Sequence, residues 1–134
     1  MTIRYATNND TIHIIRAIQN KHMDYNTTSQ VKEDVQQERL IVVEENGKLL
    51  GSAAIVYKAH RGYTAITRVC VYSKKSQGKG VASALISYIC SLGLGELGAT
   101  PWNDNPAMCH VFEKFGFEYQ YTFKKNYKFY KKSA

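Results

Sequence analysis

The sequence predicts a mixed α/β fold in which hairpins and helical crossovers share one sheet. Three features indicate it. Apolar residues alternate in some segments and recur with helical spacing in others. The pair Asn46-Gly47 separates two apolar runs, as in a tight β-hairpin. The segment Gly78-Lys79-Gly80, here named the glycine turn, joins a strand-like run to a helix-like run. Hairpin-linked strands are antiparallel and helix-linked strands in one sheet are parallel, so both kinds of pairing are expected.

The predicted order of elements is β-α-α-β-β-β-α-β-α-β-β, folded as a single three-layer domain. The first strand is residues 2–6, where polar and apolar residues alternate. Asn8, Asn9 and Asp10 follow it and are candidate N-caps of the first helix. Apolar residues at helical spacing extend that helix to about His22.

A second, more polar helix and a hairpin come next. Thr27 and Gln30 have the spacing of a capping box at the start of this helix. Residues 40–44 and 49–58 are predicted strands on either side of the turn 45–48. Asn and Gly both tolerate positive φ, so the turn is expected to be type I′.

The central strand and helix surround the glycine turn. Residues 63–72 form the strand before it, and residues 81–92 form a helix with a broad apolar face after it. Gly93 is the expected end of that helix. Residues 96–100 make a short strand that Pro101 stops.

The last third of the chain predicts a helix and two closing strands. Asn105 is an N-cap candidate with Pro106 at the first helical position. The strands are residues 117–121 and 124–130, and residues 131–134 are expected to fray. The predicted buried stripe of the helix consists of Met108, Val111, Phe112 and Phe115.

Composition and length fit one globular domain over residues 1–134, with 44% hydrophobic and 22% charged residues. No apolar run is long enough to span a membrane, and the N-terminus lacks a signal-peptide pattern. Cys70, Cys90 and Cys109 match neither a metal site nor a disulfide framework, so they are expected to be buried thiols in the cytoplasm. The net charge of +7 suits an anionic ligand or partner.

The glycine turn has the chemistry of a phosphate-binding turn. A turn from a strand into a helix presents backbone N–H groups at the positive end of the helix dipole, and glycine lets the main chain approach a ligand closely. A plain surface turn is the alternative. The dinucleotide pattern G-x-G-x-x-G and the nucleoside-triphosphate pattern G-x-x-x-x-G-K-[ST] are both absent, so sites of those two types are unsupported.

Two motifs in this order resemble the GNAT superfamily of N-acetyltransferases. Gln77-Gly78-Lys79-Gly80-Val81-Ala82 is similar to that family's [QR]-x-x-G-x-[GA] signature at the start of its central helix. Asn105 with Phe112-Glu113-Lys114-Phe115-Gly116-Phe117 resembles the family's N-x-x-A-x-x-x-Y-E-K-x-G-F-like segment on the next helix. The resemblance covers nearly the whole chain, including the hairpin at residues 43–51.

The resemblance implies a GNAT-like fold and the transfer of an acetyl group from acetyl-CoA to an amine, with no metal. The segment from Gln77 to Ala82 would bind the pyrophosphate, and the strand end at Cys70 to Tyr72 would pair with the pantetheine arm. A backbone N–H there would polarise the thioester carbonyl. Either Val71 or Tyr72 takes the last apolar position of the strand. The residues implied in cofactor binding are Cys70, Val71, Tyr72, Gln77, Gly78, Lys79, Gly80, Val81, Ala82, Asn105 and Phe112.

The catalytic acid and base are not identified by the sequence. Phe112 stands where the family often has a tyrosine acid, and its position on the apolar stripe indicates a core residue. The strand at residues 63–72 carries Arg68 but no carboxylate, where many members of the family have one. Substitutes by residue type are Tyr72, Tyr119 and Tyr121 for the acid and Glu44, Glu45, His60 and His110 for the base.

The resemblance implies that acceptor recognition comes from the first two helices, their loop at residues 22–28 and the late hairpin. His22, Asp24 and Tyr25 are candidate contacts, and a solvated loop is the alternative. A homodimer is compatible with the resemblance. Two other functions stay open: a non-catalytic acyl-CoA-binding protein, and a nucleic-acid-binding domain that uses the lysines and aromatics of residues 121–132. The preferred interpretation of that last segment is an edge strand guarded by lysine.

Overall fold

The computed structural model describes residues 1–18, 28–59, 62–101 and 105–134. In these ranges the strands are β1 Thr2–Tyr5, β2 Leu40–Glu45, β3 Lys48–Val56, β4 Thr64–Val71, β5 Leu97–Ala99, β6 Glu118–Phe123 and β7 Tyr127–Lys132. The helices are α1 Thr11–Ile18, α2 Thr28–Gln36, α3 Lys74–Gln77, α4 Val81–Cys90 and α5 Pro106–Lys114. The predicted order of elements is confirmed, with the one-turn helix α3 as an addition.

The strands form one mixed sheet in the order β1-β2-β3-β4-β5-β7-β6. β1 pairs with β2 and β2 with β3 in the antiparallel sense. β4 and β5 are parallel, as expected for strands joined by a crossover helix, and β7 runs antiparallel to both β5 and β6. The chain divides into two compact units, the first made of Met1–Ile55 with Arg68–Leu85 and the second of Val56–Thr67 with Ile86–Ala134.

The first unit has its core between α1, α2 and the strands β2 and β3. The alternation and helical spacing seen in the sequence place the apolar side chains inside. Asn46 and Gly47 have φ of 53° and 77°, as a type I′ hairpin requires, so the predicted turn is confirmed. The buried core of this unit includes Ala6, Ile14, Ile15, Ile18, Val31, Val35, Leu40, Val42, Ala54 and Cys70.

The start of α1 differs from the prediction. Thr7 is the N-cap of a 3₁₀ turn, Asn8–Asp10, and α1 begins at Thr11, so Asn8 and Asn9 are not caps. Asp10 accepts a hydrogen bond from the Thr7 N–H at 2.7 Å, and it accepts two more from Arg4 at 2.7 and 3.0 Å. These bonds tie β1 to the entry of α1. The predicted continuation of this helix to His22 and the predicted cap at Thr27 lie outside the described residues.

Asp10 should make stability depend on pH in acid. The Arg4 hydrogen bond lowers the pKa of the Asp10 carboxyl from 3.8 to about 2. A lowered folded-state pKa stabilises the fold above the unfolded value, and this contribution is lost as the pH falls toward 2. Asp10→Asn is expected to lower the free energy of unfolding by about 2 kcal/mol at pH 7 and by only about 0.4 kcal/mol at pH 2. Denaturant midpoints at both pH values measure this, with Glu118→Gln as an exposed control; an equal loss at both would contradict it.

The second unit ends in the hairpin β6–β7, where three predictions are wrong. Lys124 and Lys125 have φ of 51° and 63° and lie in the turn, so the last strand begins at Tyr127 and not at residue 124. Lys131 and Lys132 do not fray, because they pair with Glu118 and Leu97. β7 therefore lies inside the sheet and β6 is the edge, so most of the lysines in this segment do not guard an edge.

The predicted buried faces of the helices agree only in part with the structure. α5 buries Cys109 and Phe112, whereas the other predicted stripe residues, Met108, Val111 and Phe115, are half-buried. The buried face of α5 consists of two residues at spacing i, i+3. It is therefore narrower than the apolar stripe in the sequence predicted. Along α4 the buried side chains are Val81, Leu85, Ile86 and Ile89.

Candidate functional site

The glycine turn lies between two helices. Ser73 caps α3 by accepting from the Ser76 N–H at 3.2 Å, and the turn then leads into α4 at Val81. Gly80 has φ of 75°, which favours glycine, whereas Gly78 has an ordinary φ of −82°. A Cβ at either glycine would meet no atom within 4 Å. The main chain of the turn therefore faces open space, as close approach by a ligand requires.

Backbone donors cluster where α4 begins. The Ala84 N–H binds the Gly80 carbonyl at 2.9 Å and is the first bond of the helical ladder. The N–H groups of Val81, Ala82 and Ser83 precede that ladder, so helix geometry leaves them without a helical acceptor. They lie at the positive end of the α4 dipole, where an anion is stabilised.

Lysines add positive charge near these donors. Lys74 and Lys75 lie on α3 and are exposed. The Lys79 ammonium is 3.7 Å from the Glu45 carboxylate, in an ion pair whose partners are both well exposed. An exposed pair of this kind is weak, so Lys79 can exchange Glu45 for another anion at little cost.

The end of β4 departs from regular strand geometry. β4 pairs with β5 at Thr64, Ala65 and Ile66. Arg68 then has φ of 51°, in the left-handed region. The Tyr72 N–H donates to the Leu50 carbonyl of β3 at 2.9 Å. Because successive N–H groups of a strand point to opposite edges, the Val71 N–H points away from β3, and Tyr72 is not available as an oxyanion donor.

A buried ion-pair network holds Arg68. Asp34 on α2 is 0% exposed. Its carboxylate accepts from Arg68 Nε and a second Arg68 nitrogen, each at 2.9 Å, and from Arg39 Nε at 2.7 Å. Gln30 donates a further bond at 3.1 Å. Asp34 was not predicted as a buried residue from the sequence. Its helical spacing from Val31 places it on the same face of α2 as Val31 and Val35, and this pattern indicates burial.

Tyr72 is packed too deeply to donate a proton easily. Its ring lies against the core of the first unit, and its hydroxyl is buried near that of Ser52. The two hydroxyls do not reach hydrogen-bond geometry with any described group. Burial raises the pKa of the Tyr72 phenol. A phenol in this state keeps its proton, which makes it a poor general acid.

The second unit contains Asn105 and Phe112. The Asn105 side chain caps α5 by accepting from the Met108 N–H at 3.2 Å, with Pro106 at the start of the helix, so the predicted cap is confirmed. Phe112 is 2% exposed, and its ring centroid is 5.1 Å from that of Phe117. The core interpretation of Phe112 is confirmed. Roles for Asn105 and Phe112 in cofactor binding stay predictions.

Tyr130 supports α5 from β7. Its hydroxyl donates to Glu113 at 3.0 Å, and its ring stacks on Phe112 at 6.5 Å between centroids. Burial, and then the Glu113 carboxylate, raise the pKa of the Tyr130 phenol. This residue was not predicted from the sequence, because one tyrosine among ten carries no local signal.

The remaining acid and base candidates have ordinary surface partners. Glu44 accepts from Arg4 at 3.2 Å, and Glu45 is bound to Lys79. His110 is 86% exposed beside Glu113, and the Tyr119 hydroxyl is 2.8 Å from that of Thr122. Tyr121 packs its ring on Phe129. The other candidates, His22, Asp24, Tyr25 and His60, lie outside the described residues.

Metal clusters and membrane spans are both absent from the described residues. No group of three or more His, Cys, Asp or Glu side chains there could hold a metal ion. No helix in that part of the chain is long and apolar enough to cross a membrane. All three cysteines fall within it and are thiols; Cys70 and Cys109 are buried as expected, whereas Cys90 is half-buried.

Solved structures share this fold. A GNAT-family acetyltransferase of Streptococcus agalactiae matches with a TM-score of 0.85 at 18% identity, over 99% of this chain and 95% of that one. The acetyltransferase yncA of Salmonella typhimurium, solved with acetyl-CoA, matches with a TM-score of 0.75 at 19% identity, over 98% and 92%. A spermidine N-acetyltransferase of Vibrio cholerae matches with a TM-score of 0.74 at 20% identity, over 99% and 95%. At these identities the likeness shows the fold alone.

Sequence comparison identifies the family. A comparison with curated proteins gives no match. The sequence profile of the acetyltransferase (GNAT) family matches residues 9–117, which is most of the chain and includes the glycine turn and α5. The chain therefore belongs to the acetyltransferase (GNAT) family.

Proposed function

We propose that this protein transfers an acetyl group from acetyl-CoA to a primary amine by direct attack in a ternary complex. The observation that carries the proposal is the glycine turn, where open space faces the main chain at the start of α4. We assign the pyrophosphate to the N–H groups of the segment from Gln77 to Ala82, with Lys79 adding charge. These groups fit a phosphate, because they combine backbone donors, a helix dipole and little steric bulk.

The end of β4 is proposed to bind the pantetheine arm. Within the described pairing, β4 pairs with β5 at Thr64, Ala65 and Ile66, and the proposed segment lies beyond these positions. The Val71 N–H points away from β3 and is our candidate donor to the thioester oxygen. Acetyl-CoA supplies the activated acyl group. In other enzymes, removing one hydrogen-bond donor to the reacting carbonyl oxygen lowers the rate by about 10²–10³-fold.

Proton transfer needs groups that the described residues do not identify. A lysine-like amine has a pKa of about 10.4 and must lose a proton before it attacks. Glu44, Glu45 and His110 all have surface partners, which disfavours each as a dedicated base. We therefore propose that water carries the proton or that His60, the remaining base candidate of the sequence, does so. The acceptor is proposed to be a small-molecule or peptide amine, and the thiol state of all three cysteines supports a cytoplasmic site of action.

A non-catalytic acyl-CoA-binding protein is the second candidate. The buried Phe112 and the absence of a carboxylate from β4 favour it. Release of CoA thiol in the presence of a panel of amines separates the two functions. Sustained release dependent on one amine class supports the enzyme; binding without release supports the second candidate.

Calorimetric titration with acetyl-CoA tests the proposed site. Gly80→Asp is expected to weaken binding at least about fivefold, since a carboxylate a few ångströms from phosphate repels it by about 1 kcal/mol or more. Gly95→Asp is the matched control, because Gly95 is also exposed, has φ of 81° and faces open space. Wild-type affinity in Gly95→Asp with loss in Gly80→Asp supports the proposal. Equal affinity in all three proteins would place the cofactor elsewhere.

A further inference from the structure

The network around Asp34 lies beside the proposed cofactor strand but contains none of the proposed binding residues. Asp34 is fully buried, and the side chains of Arg39 and Arg68 are 19% and 14% exposed. Buried ion pairs contribute little net stability, because desolvation of the charges offsets their attraction. Its position beside β4 therefore tells more about the role of the network than its contribution to stability does.

Arg68 combines an unfavourable backbone with a firmly held side chain. A non-glycine residue in the left-handed region costs about 1–2 kcal/mol. Arg68 has φ of 51° two residues beyond the last β4–β5 pair, and two of its guanidinium nitrogens are bound to Asp34. Such strain persists only where the surroundings hold it in place. The bonds to Asp34 can do this, since α2 fixes the carboxylate.

We propose that Asp34 is a positioning residue that holds the left-handed conformation of Arg68 and so sets the direction of residues 69–72. Those residues include Cys70, Val71 and Tyr72, so this inference rests on the proposed function for its catalytic meaning. Asp34 does not touch the substrate in this scheme. It acts through Arg68, and the outward direction of the Val71 N–H is the result.

Two substitutions at position 68 distinguish a role in holding the left-handed backbone from a role in side-chain packing alone. Arg68→Gly and Arg68→Ala remove the same guanidinium and leave Asp34 the same partners, Arg39 and Gln30. The two variants differ in the free-energy cost of a backbone φ near 50°. Glycine adopts this conformation at little cost, whereas alanine adopts it at a cost of about 1–2 kcal/mol. We expect Arg68→Gly to bind acetyl-CoA nearly as wild type does and Arg68→Ala to bind about tenfold more weakly. Arg39→Gln is the control, because it breaks a bond to Asp34 without changing β4.

Amide hydrogen exchange supplies a second readout that needs no ligand. Exchange at residues 69–72, relative to β2 in the same protein, is expected to be about tenfold faster in Arg68→Ala than in Arg68→Gly. Asp34→Asn should resemble Arg68→Ala, and the double variant Asp34→Asn/Arg68→Gly should resemble Arg68→Gly. If wild type fails to bind acetyl-CoA, the proposed function fails, and exchange still tests the positioning role. Identical exchange in the Gly and Ala variants would overturn the inference.

Discussion

Gly51→Ala is expected to lower the free energy of unfolding by about 3 kcal/mol, the upper part of the usual range for overpacking. A Cβ on Gly51 would lie 2.6 Å from the Cys70 carbonyl oxygen and 2.7 Å from Val81 Cγ1. The first contact is with main chain, which cannot rotate away, and Val81 is fully buried. β3 or β4 must therefore shift to admit one methyl group.

Gly78→Ala is the control for this substitution. A Cβ there meets nothing within 4 Å, and φ is −82°, so stability should change by less than about 0.5 kcal/mol. Urea unfolding of both variants gives the comparison. An unchanged midpoint for Gly51→Ala would mean that β3 and β4 have room that the structure does not show.

Asp34→Asn is expected to lower the free energy of unfolding by about 3–5 kcal/mol, the cost of breaking a buried ion pair by removing one partner. Two arginines, Arg39 and Arg68, would face a neutral amide that cannot accept all their hydrogen bonds. Both guanidiniums would then keep their desolvation cost without a compensating charge.

Glu33→Gln is the neighbouring control on α2. Glu33 is 56% exposed and pairs with Arg39 at 3.4 Å, so its loss should cost less than about 1 kcal/mol. Chemical denaturation at neutral pH distinguishes the two sites. Similar midpoints for Asp34→Asn and Glu33→Gln would show that water reaches Asp34 and that the network is not buried in solution.

Features set by neighbouring residues were predicted from the sequence. The Asn46-Gly47 turn and the Asn105 cap depend on a few adjacent residues, and both were located correctly. The glycine turn was placed correctly before α4, although α3 was missed because a single helical turn has no periodicity to detect. The prediction of one domain over residues 1–134 stays a prediction.

Features set by distant residues were not predicted. The partnership of Asp34 with Arg68 joins positions far apart in the chain, so no local pattern contains it. The left-handed turn at Lys124 and Lys125 uses residues with no special preference for positive φ, and the pairing of β7 with β5 extends the strand to Lys132. In both cases tertiary pairing overrides local propensity.

The pairing pattern of the sheet also bears on the order of folding. The β2–β3 and β6–β7 hairpins are closed by short turns at Asn46-Gly47 and at residues 124–126. Hairpins of this kind form within about 1–10 μs, whereas a parallel pair such as β4–β5 must first close a loop that contains a whole crossover. We therefore expect the two hairpins to form early. The pairing of β4 with β5 at residues 64–66 would then form late, after both hairpins exist.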